Sequence, residues 1–172
     1  MQREKLQKMM LLAMMIALDV VLSPLFRVEG MAPMSSVMNV LAGGLLGPLY
    51  GTLMALCCGI IRMLLLGIPP LALTGAVFGA FLAGLLYRMT NNLYGAILGE
   101  IIGTGIIGSL LSYPVMVLFT GSQQGMYWLI YTPRFVGATL IGSLVAYFVW
   151  KLLYRVPVFK RCQHLFLRSE QS

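Results

Sequence analysis

Long runs of apolar residues, separated by glycine, proline and small polar clusters, follow one another along almost the whole chain. A helix needs about 20 mainly apolar residues to cross a bilayer. The pattern predicts six helices, over residues 6–22, 35–46, 49–66, 71–88, 94–118 and 133–154. We therefore expect an all-α integral membrane protein that is a bundle of six transmembrane helices.

The breaks between these runs consist of residues that end or begin helices. Pro24 is expected to stop the first helix, whereas Thr132 and Pro133 suit the N-cap and first turn of the last. Gly47 and Pro48 divide residues 36–66, although that stretch can also be read as one broken helix. If it is divided, the second helix is too short to cross about 30 Å at about 1.5 Å per residue, so it has to tilt or lie inside the bundle.

Composition gives the same class of protein. Hydrophobic residues make up 59% of the 172 residues and charged residues only 10%, whereas a soluble domain has about 25% charged residues. The chain has too few polar residues for an aqueous catalytic domain. We assign residues 1–154 to one transmembrane domain and residues 155–172 to a basic cytoplasmic tail.

The basic residues indicate the orientation in the membrane. Twelve Lys and Arg oppose five Asp and Glu, and eight of the twelve lie in residues 1–8 and 151–168. Placing both ends in the cytoplasm puts nine basic residues inside and three outside, namely Arg27, Arg62 and Arg134. This asymmetry fits an even number of helices. The expected location is the cell membrane, with both termini cytoplasmic.

The residues for common enzymatic chemistry are missing from the sequence. His164 is the only histidine and lies in the tail, so a histidine-based catalytic or metal site within the membrane is excluded. A phosphate-binding loop is excluded too, because every lysine lies near one end of the chain. We expect no enzyme activity, metal or cofactor, and any ATP-driven work would need another subunit.

Polar residues inside apolar helices are the functional candidates, because a charge within the bilayer is costly. Four of them fall in the outer half of four different helices: Asp19, Arg62, Tyr113 and Arg134. Asn39 lies in the short second helix, Glu100 lies deeper in the fifth, and Trp128 belongs to an outer aromatic segment. Together they predict a site for a small, partly aromatic solute at the outer face.

Each candidate also has a structural explanation. Arg62 and Arg134 can extend to the outer headgroups, Asp19 can pair with a neighbouring arginine, and Asn39 can hold helices together. Glu100 can be a buried structural acceptor. The aromatic segment around Trp128 is either an interfacial belt or a lid over the site.

Several runs resemble a known transporter family. Ala13-Met-Met-Ile-Ala17 resembles the Ala-x-x-x-Ala stripe of S components, the substrate-capture subunits of energy-coupling-factor (ECF) vitamin transporters. Closer similarity to the ThiW branch of these subunits lies in residues 22–26, 39–50, 84–88 and 98–108, followed by Tyr113-Pro114. The resemblance covers about residues 5–154.

The resemblance implies a function and partners. The solute would be hydroxyethylthiazole, a thiamine precursor, bound at the extracellular face. Delivery would require a membrane coupling subunit, which docks on Ala13 and Ala17, and two ATPases. From position and chemistry we nominate as substrate-binding residues Asn39, Arg62, Tyr113, Trp128 and Arg134, with Glu100 as a second-rank candidate.

Three alternatives stay open: an S component for another vitamin or related solute, a stand-alone proton-coupled carrier using Glu100 or Asp19, and a non-transporting membrane scaffold.

Overall fold

The chain folds into helices throughout the part that the structure describes. The computed structural model describes residues 2–27, 31–121 and 127–167, apart from the side chains of residues 120, 127–130, 164 and 167. The elements in chain order are α1 (Gln2–Leu25), α2 (Pro33–Leu66), α3 (Leu71–Thr90), α4 (Leu93–Glu100), a π-helix (Ile101–Gly108), α5 (Ser109–Thr120), α6 (Tyr127–Leu153) and α7 (Pro157–Leu167). The expected all-α class is confirmed.

Within the described residues, five helical stretches are long and apolar enough to cross a membrane. They are Gln2–Leu25, Pro33–Leu66, Leu71–Thr90, Leu93–Phe119 and Tyr131–Leu153. Their outer surfaces carry large apolar side chains such as Leu64 and Leu144, which are 79% and 62% exposed. A surface of this kind suits lipid, since hydrocarbon chains are as apolar as these side chains.

The backbone of α2 reverses direction at Gly47. This residue has φ 80° and ψ −177°, which is not helical. Arg62 Nη2 donates a hydrogen bond of 3.4 Å to Ser35 Oγ, although 27 residues separate the two in sequence. In a straight helix that separation would be about 40 Å at about 1.5 Å per residue. Residues 33–46 and 48–66, hereafter the two arms of α2, are therefore antiparallel neighbours.

Small residues allow the helix backbones to pack closely. A Cβ atom on Gly43 would lie 2.7 Å from the backbone nitrogen of Gly84, and one on Gly108 would lie 2.6 Å from Gly75 Cα. A side chain at any of these positions would push α2, α3 and the π-helix apart. Close approach of this kind is how helices associate in lipid, where van der Waals packing replaces the hydrophobic effect.

Helix α7 packs against one end of the bundle. Gln163 Nε2 donates to the Gly44 carbonyl at 3.0 Å and to the Tyr87 hydroxyl at 2.6 Å. Phe166 is 1% exposed, and Lys8 Nζ lies 5.6 Å from the centre of its ring. The start of α1 and helix α7 thus lie at one end of the bundle, hereafter the basic end. Arg27, Met31, Ala32 and Ile68 lie together at the other end, hereafter the loop end.

The predicted ends of two helices were wrong, and a third helix contains a segment that was not predicted. Helix α1 begins at Gln2 and continues one residue past Pro24, because proline removes only the hydrogen bond of its own missing N–H, and Phe26 N still donates to the Leu22 carbonyl at 3.1 Å. Helix α6 begins at Tyr127, so Pro133 lies inside it rather than in its first turn. The predicted helix 94–118 contains a π-helix, whose Gly103 and Gly108 lie directly against the backbone of α3.

Candidate functional site

A cavity of about 70 Å³ opens at the loop end of the bundle. It has room for several water molecules. Its walls come from α1, both arms of α2, α3, the π-helix and α6. The polar lining residues are Ser23, Arg27, Ser35, Ser36, Asn39, Arg62, Thr104 and Arg134. The apolar lining residues include Met31, Leu71, Ala72, Ala76, Phe135 and Ala138.

A buried carboxyl group lies behind the inner wall of this cavity. Glu100 Oε1 accepts hydrogen bonds from Asn39 Nδ2 at 3.3 Å and from Thr104 Oγ1 at 2.8 Å. Asn39 and Thr104 line the cavity, whereas Glu100 is fully buried. The network joins the first arm of α2 to α4 and the π-helix, so it holds the Asn39 amide in a fixed orientation at the cavity wall.

Local sequence explains how Glu100 reaches this position. A Cβ atom on Gly79 would overlap Thr104 Oγ1 and Glu100 Oε2, so only glycine lets these side chains lie against α3. Thr104 Oγ1 also lies 2.9 Å from the Gly75 carbonyl oxygen. The π-helix begins immediately after Glu100. π-Helical turns are frequent at functional sites because they change the direction in which neighbouring side chains point.

A second cluster of ionisable side chains, Asp19 and Arg62, lies where α1 meets the second arm of α2. Asp19 is 0% exposed, and its Oδ1 accepts a hydrogen bond from Ser23 Oγ. Arg62 is 2% exposed and interacts electrostatically with Asp19. Arg62 also contacts Ser35 and lines the cavity, so the reversal of α2 at Gly47 is what brings this guanidinium into the site.

Unsatisfied buried polar atoms concentrate around this cavity. Five buried side-chain atoms in the described part of the chain have no hydrogen-bond partner. Four of them belong to the two groups above: Asp19 Oδ2, Asn39 Oδ1, Arg62 Nε and Glu100 Oε2. The fifth is Ser143 Oγ. Buried polar groups in folded proteins are nearly always paired, because leaving one unpaired costs about 1–3 kcal/mol. Asn39 and Arg62, which carry two of these atoms, line the cavity, so a polar solute there would contact both side chains.

The structure brings together four of the six predicted substrate-binding residues. Asn39, Arg62 and Arg134 line the cavity, and Glu100 contacts Asn39 directly behind it. Tyr113 lies on α5 and is not a lining residue. The side chain of Trp128 lies outside the described residues.

Sequence reasoning missed several lining residues. Thr104 follows Glu100 by four residues, the spacing that places two helical side chains side by side. Ser35 and Ser36 precede Asn39 by about one turn, and Phe135 follows Arg134 directly. These signals were present but weak, because serine and threonine are common in membrane helices and phenylalanine is common on their lipid faces.

The predicted docking residues lie away from the cavity. Ala13 and Ala17 are exposed on α1. Their exposed neighbours Met10, Met14 and Leu18 are 57%, 60% and 49% accessible. This face is apolar and contains two small residues one turn apart, so another helix can approach its backbone closely.

One comparison with known proteins gave a match. A family model described as "Thiamine-precursor transporter protein (ThiW)" matches residues 9–156. The matched region includes every cavity-lining residue and both docking alanines, and it ends just before α7. No curated protein and no solved structure gave a match.

Proposed function

The chain belongs to the ThiW family of thiamine-precursor transporters, and from this premise we propose that it is the S component of an ECF importer. In this proposal it captures hydroxyethylthiazole from outside the cell, in the cavity at the loop end. A separate coupling subunit and two ATPases then drive delivery into the cytoplasm.

The clustering of unpaired polar atoms around one cavity is the observation that carries this proposal. Asn39 Oδ1 is an acceptor and Arg62 Nε is a donor, and both belong to residues that line the cavity. Hydroxyethylthiazole has an alcohol that donates and accepts and a ring nitrogen that accepts. It therefore offers a hydrogen-bond partner for the amide of Asn39 and for the guanidinium of Arg62.

The apolar part of the cavity suits the ring of the same solute. Phe135 offers an aromatic face, Met31 a polarizable thioether and Ala76 a small apolar surface. Ligand sites usually combine mainly apolar walls with a few placed polar groups. Methionine adapts to the shape of a bound ring, and its sulfur makes favourable contacts with aromatic edges.

We propose six membrane passes, with the two arms of α2 counted separately. The first arm, residues 33–46, is then a short pass enclosed by its neighbours, since nearly all of its residues are buried. An even number of passes agrees with the position of the start of α1 and of α7 at the same end of the bundle. The excess of Lys and Arg there supports a cytoplasmic basic end and a cavity that opens to the outside.

The coupling subunit is proposed to dock on α1. Ala13 and Ala17 form its small, exposed stripe, and the methionines around them provide an adaptable apolar surface. No phosphate-binding loop occurs in the sequence, so in this proposal the partner ATPases supply the energy. Co-purification from native membranes, with mass spectrometry of bound proteins and small molecules, would identify these partners.

Equilibrium binding to the purified chain tests the assignment of solute and site. We expect saturable binding of hydroxyethylthiazole, and no binding of unrelated vitamins from the same panel. Asn39→Ala should weaken binding up to about 10-fold, the equivalent of one hydrogen bond. Asn92→Ala is the matched control, because Asn92 is exposed, lies outside the cavity lining and makes no side-chain cap bond.

Two outcomes would contradict the assignment. Tight binding of another vitamin, with no binding of thiazole alcohols, would replace the proposed solute. Equal binding by the Asn39→Ala and Asn92→Ala variants would remove the cavity from the proposal.

A proton-coupled carrier is the second candidate, and the burial of Glu100 favours it. This carboxyl group is fully buried, has one unpaired oxygen and contacts a residue that lines the cavity. Uptake by the chain alone into proteoliposomes under a proton gradient would support this candidate. Full gradient-driven uptake by a Glu100→Gln variant would exclude Glu100 as the titrating group.

A further inference from the structure

A second concave surface lies at the basic end, between the start of α4 and the end of α6. This groove measures about 330 Å³ and is lined by Leu93, Tyr147, Trp150, Lys151, Tyr154 and Arg155. It is remote from the cavity at the loop end and shares no lining residue with it. Two cations and three aromatic side chains therefore face one opening at the level where the membrane helices end.

Aromatic rings hold the basic side chains of the groove in place. Lys151 Nζ lies 5.6 Å from the centre of the Tyr147 ring, and Lys160 Nζ from α7 lies 4.6 Å from the centre of the Tyr154 ring. Cations within about 6 Å of an aromatic face are attracted by its quadrupole. The exposed Arg155 adds a planar guanidinium, which binds phosphate oxygens in pairs. Two cations thus line the groove, and a third, Lys160, lies beside the Tyr154 ring that forms part of its wall.

An apolar surface continues from the groove along the membrane span. Leu98 on α4 is 55% exposed, and Leu144 and Phe148 on α6 are 62% and 58% exposed. The rings of Tyr94 and Tyr147 lie 6.2 Å apart and join the two helices at the groove. The surface is therefore cationic at the helix ends and apolar beyond them, which matches the charge and shape of an anionic phospholipid.

We propose that this groove binds one anionic phospholipid. Its phosphate lies among Lys151, Arg155 and Lys160, and its acyl chains lie along Leu98 and Phe148. The continuous apolar surface favours a lipid over free phosphate, which has no apolar part. Basic pockets at the cytoplasmic ends of membrane helices commonly recognise anionic headgroups. Lys160 lies beyond the residues that match the family, so α7 contributes one of the three cations.

Native mass spectrometry with defined lipids tests the proposal. The purified full chain is titrated with phosphatidylglycerol and, separately, with phosphatidylcholine. We expect one phosphatidylglycerol to bind more tightly than phosphatidylcholine. Because each cation near a headgroup contributes about fivefold in affinity, the double variant Lys151→Gln, Arg155→Gln should bind phosphatidylglycerol about 30-fold more weakly. Lys160→Gln alone should weaken binding about fivefold.

The matched control removes the same charge from the same end of the bundle. Arg3→Gln with Lys5→Gln changes two exposed basic residues outside the groove, and we expect phosphatidylglycerol binding to remain as in the parent chain. Equal binding of the two lipids, or equal losses in the groove and control variants, would overturn the proposal. Displacement of the lipid by excess inorganic phosphate would overturn the choice of a lipid. If the double variant does not fold, the exposed Lys160→Gln change decides the outcome.

Discussion

Replacing Gly47 tests whether the reversal of α2 assembles the cavity. With φ 80° and ψ −177°, this residue occupies a region of backbone space that is essentially restricted to glycine. A Cβ atom in this conformation costs about 1–3 kcal/mol. The strain falls where the two arms of α2 meet, and these arms carry Ser35 and Arg62 to the same cavity wall.

The stability effect of Gly47→Ala follows from that cost. For a chain of this length, about 1 kcal/mol lowers the unfolding midpoint by about 2–4 °C. We therefore expect a midpoint lower by about 2–12 °C. A shift of the two arms that relieves this strain would also move Ser35 relative to Arg62, so we expect weaker binding of the thiazole alcohol at temperatures where the variant remains folded.

Thermal unfolding of the detergent-solubilised protein at a fixed heating rate measures this effect. Gly51→Ala is the matched control on the same helix. Its Cβ atom would meet its nearest neighbours at 3.7 Å, an ordinary contact distance. Alanine favours the helix over glycine by up to about 1 kcal/mol, so this variant should be equally or more stable. If Gly47→Ala unfolded at the same temperature as the parent chain and bound the solute equally well, the reasoning about the reversal would be refuted.

Three further changes test other parts of the structure. Gly79→Ala should lower the midpoint of thermal unfolding, because the added Cβ atom would displace Glu100 at an overpacking cost of about 1–3 kcal/mol. An unchanged midpoint would show that α3 does not press against this carboxyl group. Ala17→Leu should abolish uptake in cells but leave solute binding by the purified chain intact, and lost binding would argue against a pure docking role. Gln163→Ala should destabilise the chain by about 1–2 kcal/mol in thermal unfolding, since it removes the hydrogen bonds to Tyr87 and the α2 backbone; no loss would mean that α7 does not stabilise the bundle.

Hydrophobic patterning predicted the fold more reliably than it predicted helix ends. Apolar runs long enough to cross a bilayer determine the class of the protein directly, because lipid imposes that length. The reversal of α2 was also predictable from Gly47 and Pro48, which interrupt an otherwise continuous run. Pro133 misled the prediction, since proline marks a helix start in water but is tolerated within membrane helices.

The site was only partly predictable for a different reason. Buried charge is costly in a membrane, so Arg62 and Glu100 were recognisable as candidates from sequence alone. Their positions relative to the cavity could not be predicted, because the orientation of each helix about its own axis decides which of its residues face a cavity. Tyr113 was nominated beside a proline kink, yet α5 does not place it at the cavity. The packing of α7 was missed although Phe159, Gln163 and Phe166, which are buried, recur at the spacing of one helix face; the basic residues between them resembled a solvated tail.

A structure of the chain with bound hydroxyethylthiazole tests the central claim most directly. The proposal predicts the ring beside Phe135 at the loop end, with the polar atoms of the solute within hydrogen-bond distance of the Asn39 and Arg62 side chains. Solute bound elsewhere on the molecule, or a cavity that stays empty at saturating solute, would contradict it.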